Sequence, residues 1–226
     1  MLCELVMLLI WVNVSISDIL LSRMNTQKAH TEILHGDAAV LHVQDEHVAR
    51  LSQGLVENFV EGNVRIPENV EREEYANWYT GVVRDAIHTL LASKNIAVAR
   101  QNDEVAGMAG YEYRGTYQGK DVYEIAKVSV LPEFRGQKLS VKLMERVMDE
   151  IAKKGPNAVA VIDSKDPRIL DWVNSRTNTP LTHQDYFRIC AQREPDDTEQ
   201  VRKWLSARER EGWQVFLLDP SANAEA

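Results

Sequence analysis

The sequence predicts an α/β (α+β) fold, a central mixed and mostly antiparallel sheet flanked by helices. Three observations predict it. Apolar residues recur at helical spacing through two long stretches, 45–62 and 70–92, and from residue 95 the period changes to that of strands. Three strand-like runs then follow one another with turn chemistry between them, which reads as a meander. A long amphipathic helix and a wholly apolar, buried-type strand come next, a strand–loop–helix–strand order.

Taken in order, residues 38–43 (AAVLHV) read as a short strand, and Asp45 is placed to cap the helix that carries Val48, Leu51, Leu55, Phe59 and Val60. Arg65-Ile66-Pro67 breaks that pattern before the second helix, 70–92, with Tyr75, Trp78, Tyr79, Val82, Val83, Ile87, Leu90 and Leu91 apolar. Strands are expected at 95–100, 104–113 and 121–130, with turns at 101–103 and 115–120. Leu139, Leu143, Val147 and Ile151 fall four apart on the next helix, which ends at Lys153-Lys154-Gly155-Pro156. Residues 158–162 (AVAVI) lack any polar residue to face water, the mark of a buried strand. Asp166 and Pro167 start a helix to 175, a polar helix spans 197–211 with Val201, Trp204 and Leu205 inward, and residues 213–218 (WQVFLL) form a closing strand. The stretch 177–193 is longer than a simple connection and is expected to wall a cleft.

Composition narrows the class. Of 226 residues, 44% are apolar and 27% charged, which excludes a disordered, collagen-like or multi-span membrane protein. The net charge of -8 argues against non-specific nucleic-acid binding. Cys3 and Cys190 have no metal-ligand spacing and no plausible disulfide framework, so a reducing, cytoplasmic setting is expected. His30, His35, His42, His47 and His88 supply no metal set and read as surface or packing residues, with no metal expected. Gly107 and Gly110 read as bulge or packing positions.

The first residues stand apart. Residues 5–12 (LVMLLIWV) are continuously apolar but far short of the roughly 20 needed to span a bilayer, and the only charge before them is Glu4, so no basic n-region precedes them. Residues 1–23 are expected to be an extension from a mis-called start, with the natural chain beginning at Met24. A short apolar helix docked on the body, or a membrane anchor, are the other readings. A polar segment, 24–37, then leads into one domain, 38–219, and a disordered tail, 220–226.

Val128-Ser129-Val130-Leu131-Pro132-Glu133-Phe134-Arg135-Gly136-Gln137-Lys138-Leu139 closely resembles the acetyl-CoA signature of the GNAT N-acetyltransferase superfamily, V-x-P-x-x-R-G-x-G-[IL]-G, after a strand and at the start of a helix. The element order extends the resemblance over 38–176, with 177–219 a variable C-terminal part. It implies a GNAT-like fold and acetyl-CoA as co-substrate. The N–H groups of Gln137, Lys138, Leu139 and Ser140 would hold the pyrophosphate beside Arg135 and Gly136, and the backbone of Val128 and Val130 the pantetheine arm. Two family glycines are Lys138 and Ser140 here; the lysine charge offers a pairing with phosphate in exchange for its Cβ.

The implied function is acetyl transfer to a primary amine by direct attack in a ternary complex. Glu124 stands where many resembling enzymes place a general base. The backbone N–H of Val128 would stabilise the oxyanion. The family's usual tyrosine acid is replaced by Val173, with Trp172 adjacent, leaving Tyr186 as the assigned acid, His183 and Cys190 as substitutes, and solvent as another proton source. A small-molecule or peptide amine is the expected partner, with no nucleic acid and no membrane, and a homodimer is left open. Glu71, Glu73, Glu74 and Asp85 would attract a cationic amine or merely solvate a helix face. The alternative function is a non-catalytic GNAT-like module that binds CoA or a protein.

Overall fold

The computed structural model describes residues 30–61, 71–192, 194–195 and 198–223, so the N-terminal extension, the break at Arg65-Ile66-Pro67 and the tail from 224 onward lie outside the described residues. The chain divides into two units, 1–31 and Glu32–Ala226, and the fold is that of the second. No described helix is long and apolar enough to cross a membrane.

Seven strands form one sheet: β1 (Thr31–His35), β2 (Ile96–Gln101), β3 (Glu104–Tyr117), β4 (Lys120–Val130), β5 (Ala158–Ser164), β6 (Asn178–Leu181) and β7 (Gln214–Leu218), in the spatial order β1-β2-β3-β4-β5-β7-β6. The β2–β3, β3–β4, β5–β7 and β6–β7 pairs are antiparallel, whereas β4 and β5 run parallel. The expected mixed, mostly antiparallel sheet is therefore the observed one. Its helices are α1 (Asp37–Val40), α2 (Asp45–Glu61), α3 (Arg72–Ser93), α4 (Leu139–Ala152), α5 (Pro167–Asn174), α6 (His183–Ala191) and α7 (Glu199–Arg210).

Local chemistry explains the meander. Asn102-Asp103 (φ 50° and 69°) and Gln118-Gly119 (φ 51° and 76°) are two-residue turns with positive φ at both positions, the kind whose twist matches a hairpin. The second is tighter than the expected turn at 115–120, so β3 runs on to Tyr117. A second correction concerns residues 38–43. Gly36 turns the chain at φ 60°, Asp37 opens α1, and Ala38 and Ala39 are helix formers, while the strand lies earlier, at Thr31–His35. A short apolar run without periodicity cannot tell these states apart. The strand β6 adds to the expected set, because its sequence, NTPL, carries no alternation. Pro220–Asn223, expected to open the tail, form a 3₁₀ turn with Pro220 buried.

The core has three parts. On one face, α4 buries Leu139, Leu143, Met144, Val147, Met148 and Ile151 against Ala97, Ala99, Ala106 and Ala109, small residues that let the helix lie close to the sheet. On the other face, α2 and α3 bury Val48, Leu51, Val83, Ile87 and Leu90 against Ile96, Val98, Val105 and Met108. Beyond β4 on that face, α6 contributes Tyr186 and Ile189 over Val122, Val159, Val161 and Val215.

A β-bulge divides β4. Gly110 pairs with Ala126 and Met108 with Ser129, so Ala109 faces both Lys127 and Val128, and Lys127 takes φ 56°. On a regular strand Glu124, Ala126, Val128 and Val130 would share one face; the extra residue turns Val128 and Val130 to the α4 side instead. Gly107 sits beside this irregularity. A Cβ there would lie 2.6 Å from the Ser129 carbonyl oxygen and 3.2 Å from Val130 Cα. Both are backbone atoms that cannot rotate away, so the packing reading of Gly107 holds. Gly107→Ala is therefore expected to lower stability by about 1–3 kcal/mol, read as a shifted denaturant midpoint at unchanged m.

Candidate functional site

Strands β4 and β5 pair only from Asp121↔Ala158 to Glu124↔Val161. Beyond that point β4 continues to Val130 along β3, and β5 continues along β7. The two strands thus part, and the β5-side edge of β4 carries backbone groups over 125–130 that lie outside the β4–β5 ladder. Val128 and Val130, both half-buried, are on this segment.

Next to it, the chain turns through Pro132–Phe134 into α4. The first intrahelical bond of α4 runs from Lys142 N–H to the Lys138 carbonyl, so the N–H groups of Leu139, Ser140 and Val141 have no intrahelical acceptor. The first turn of α4 contains no acidic residue, and Arg135 and Lys138 are exposed beside it, so the dipole and the side chains carry the same sign. Gly136 adopts φ 84° with open space where a Cβ would stand. Arg135 Nε donates to the Val130 carbonyl at 3.3 Å, folding the loop back onto the end of β4. Gln101 Nε2, on a buried side chain, donates to Gln137 Oε1 at 2.7 Å. Leu139 offers only its backbone, because its side chain is 2% exposed in the core. Ser140 is half-buried at the same helix start.

On the opposite face, where β4 and β5 part, a set of ionisable side chains converges. Tyr186 donates its hydroxyl to Glu124 Oε1 at 2.6 Å. Arg114 Nε donates to Glu124 Oε2 at 2.7 Å, and its Nη2 lies 2.6 Å from that oxygen and 2.6 Å from Glu112 Oε2, an ion pair with each carboxylate. Glu112 and Glu124 face each other directly across β3 and β4. Like charges so placed repel, and the shared guanidinium holds both. Asp163 follows two residues after Val161, on the same face, and pairs through Oδ2 with Arg208 of α7. The Arg208 guanidinium also stacks 4.2 Å from the Trp213 ring centroid.

The helix α6 is fixed by a capping box between Thr182 and Asp185, and Tyr117 of β3 donates to Asp185 at 3.0 Å. That anchoring brings Tyr186 and Cys190, one turn apart, against β4. Burial, then the Glu124 charge, hold the Tyr186 hydroxyl well above its ordinary range. The same two causes push the Cys190 thiol up to about 12. Burial and the nearby Arg208 push His183 down. Burial pushes Asp163 up to about 7 against the pull of Arg208, with the Glu124 charge adding to the rise.

Residues 61–168 match the model of the acetyltransferase (GNAT) family. The matched stretch runs from the end of α2 through β5 to the start of α5, a little under half of the chain. By structure, the chain resembles the protein PH1933 of Pyrococcus horikoshii OT3, with a TM-score of 0.50 at 14% identity over 84% of this chain and 98% of that one. An acetyltransferase from Streptococcus agalactiae 2603 matches at a TM-score of 0.48 and 16% identity, over 83% and 97%. The N-acetylglutamate synthase of Neisseria gonorrhoeae matches at 0.45 and 14%, over 85% of this chain but only 35% of the synthase, so the chain spans about a third of that protein. No curated protein matches by sequence.

The structure brings Glu124, inside the matched stretch, into direct contact with Tyr186, which lies beyond it, and gathers Val128, Val130, Arg135, Gly136, Gln137, Lys138, Leu139 and Ser140 at the β4 end and the α4 start. Val173 is wholly buried, so the position of the family's usual tyrosine lies in the core. Glu71, Glu73, Glu74 and Asp85 are exposed. Sequence reasoning missed Glu112, Arg114 and Asp163. The first two needed the hairpin register, which the misplaced turn obscured. The third carried a readable signal, a single acidic residue directly after the apolar run 158–162.

Lys138 holds φ 58°, a conformation that glycine adopts freely, so Lys138→Gly should raise stability by roughly 0.5–1 kcal/mol in thermal unfolding. For Asp163 the folded-state value lies above the ordinary 3.8, so its share of stability is full at low pH and is lost as pH rises through about 7. That loss, up to about 4 kcal/mol between about pH 4 and 7, should vanish from the pH–stability curve of Asp163→Asn.

Proposed function

We propose that this chain is an acetyl-CoA-dependent N-acetyltransferase acting on a primary amine, by direct attack in a ternary complex. The observation that carries the reading is the pairing of two features within the GNAT-family match: an edge of β4 left outside the sheet ladder, and an α4 N-terminus flanked by cations and free of acids. The first suits an amide-bearing arm that adds itself as a strand, the second a pyrophosphate.

In this reading Gln137, Lys138, Leu139 and Ser140 hold the pyrophosphate through backbone N–H groups, with Arg135 and Lys138 adding charge and Gly136 leaving room for the loop. Val128 and Val130 hold the pantetheine arm, and the Val128 N–H faces the thioester oxygen as charge develops there. Acetyl-CoA supplies an activated acetyl thioester. Glu124 meets the acceptor ammonium and takes its proton; the C–N bond then forms as the C–S bond breaks. The second nitrogen proton returns to the thiolate, with Tyr186, hydrogen-bonded to Glu124, in line to relay it. One proton leaves to solvent. The acceptor is a small-molecule or peptide amine, and the free Cys190 thiol supports a reducing, cytoplasmic setting.

Thiol release with acetyl-CoA and a panel of primary amines tests the reading. Turnover is expected with at least one amine, and Glu124→Gln should lower kcat by about 10²–10⁴-fold. Gly136→Val should raise the apparent KM for acetyl-CoA with little change in kcat. A melting temperature that rises with acetyl-CoA but no turnover across the panel would instead favour the non-catalytic module.

A further inference from the structure

We propose that Asp163 is a positioning residue for this chemistry: a buried carboxyl behind Glu124 whose ionisation sets how readily Glu124 takes the proton of the acceptor amine. This rests on the acetyltransferase reading above and adds to it a residue that the signature does not contain.

The placement comes from the sheet. Glu124↔Val161 is the last pair of the β4–β5 ladder, and Asp163 lies two residues on, at the level where β4 has already parted from β5. Its side chain is 5% exposed, against 15% for Glu124, so Glu124 stands at the front of the site and Asp163 at the back. Their partners differ. Glu124 receives hydrogen bonds from Tyr186 and from Arg114 Nε, and Arg114 Nη2 pairs with it as an ion. Asp163 has Arg208 on Oδ2, while Oδ1 is buried with no hydrogen-bond partner among the described residues. A buried carboxyl with one oxygen unserved by donors holds its proton to a higher pH than an ordinary aspartate.

Other groups face this pair. From α7, Arg208 reaches Asp163. From α6, burial pushes Tyr186 and Cys190 up, and burial and Arg208 push His183 down. β7 pairs with Asp163 through the apolar Val215. Burial brings the Asp163 titration to about 7. When Asp163 ionises, a second negative charge stands behind Glu124, and Glu124 binds a proton more tightly. Asp163 itself touches no reacting atom.

The test is the pH dependence of kcat/KM for thiol release, with the best amine of the panel, in the wild type, Asp163→Asn and Arg208→Gln, each checked for folding by circular dichroism. The wild type should show an acid limb centred near 7. A simple primary ammonium titrates near 10, well clear of it. Asp163→Asn should lose the limb and run roughly tenfold slower on the plateau. Arg208→Gln removes the cation that holds the limb down, so the limb should move up by about 1 pH unit or more. A limb unchanged in Asp163→Asn, or a uniform loss at every pH in both variants, overturns the proposal. Titration of the ¹³C-labelled aspartate carboxyls, with Asp163 assigned by its loss in Asp163→Asn, reads the proton site without turnover. No Asp163 resonance moving near 7 overturns the proposal even where amines are acetylated. If Asp163→Asn does not fold, the Arg208→Gln limb and the wild-type titration decide. A wild type that releases no thiol with any amine fails the acetyltransferase reading, and a silent titration fails the inference.

Discussion

Strand β4 is bonded along both edges over its first half and along only one edge thereafter. A strand edge inside a sheet does not normally stand open, because its N–H and C=O groups need partners. Here β5 is paired with β7 on its other edge from Ala160 onward, its pairing with β4 ends at Glu124↔Val161, and β4 goes on along β3 through the bulge at Lys127. Both candidate sites descend from that separation. The α4 face receives the side chains of Val128 and Val130 and ends at the helix N-terminus, while the opposite face receives Glu124 and Asp163. The inserted residue therefore turns Val128 and Val130 to one side of the strand and leaves Glu124 on the other.

The charged cluster has a physical order. Glu112 and Glu124 are cross-strand neighbours, a pairing that would destabilise the sheet if each carboxylate stood alone. Arg114 reaches both and lies 31% exposed at the surface end, where its charge costs little to hydrate. Deeper in, Arg208 pairs with Asp163 and stacks on Trp213, which fixes its direction. Donors are thus abundant at the front of the site and scarce behind it. That gradient leaves Asp163 Oδ1 buried without a hydrogen-bond partner among the described residues.

How much of this was legible depended on how local the determinants are. The α4 start could be read because Leu139, Leu143, Val147 and Ile151 keep helical period, and Lys153 to Pro156 end the helix in sequence. Glu124 and Tyr186 could be named as separate candidates, but their contact spans 62 positions and depends on the Thr182–Asp185 cap that orients α6. The bulge was illegible: Lys127 is not a glycine, and nothing in KVSV announces a positive φ. Strand parity carried through it puts Glu124 and Val128 on one face, whereas the structure sets them on two.

Lys138 stands in the loop before α4 where the signature pattern carries a glycine. The backbone requires a left-handed residue directly before α4, which glycine supplies without strain, and this chain keeps the conformation while changing the residue. A lysine in that position carries a steric cost of about 1 kcal/mol, the same order as a screened surface charge returns against a phosphate. The exchange becomes favourable only with an anion seated at the helix start, since without one the cost stands uncompensated. Retaining φ 58° at a lysine, beside an arginine and with no acid in the first helical turn, is what a loop shaped around a bound anion would retain.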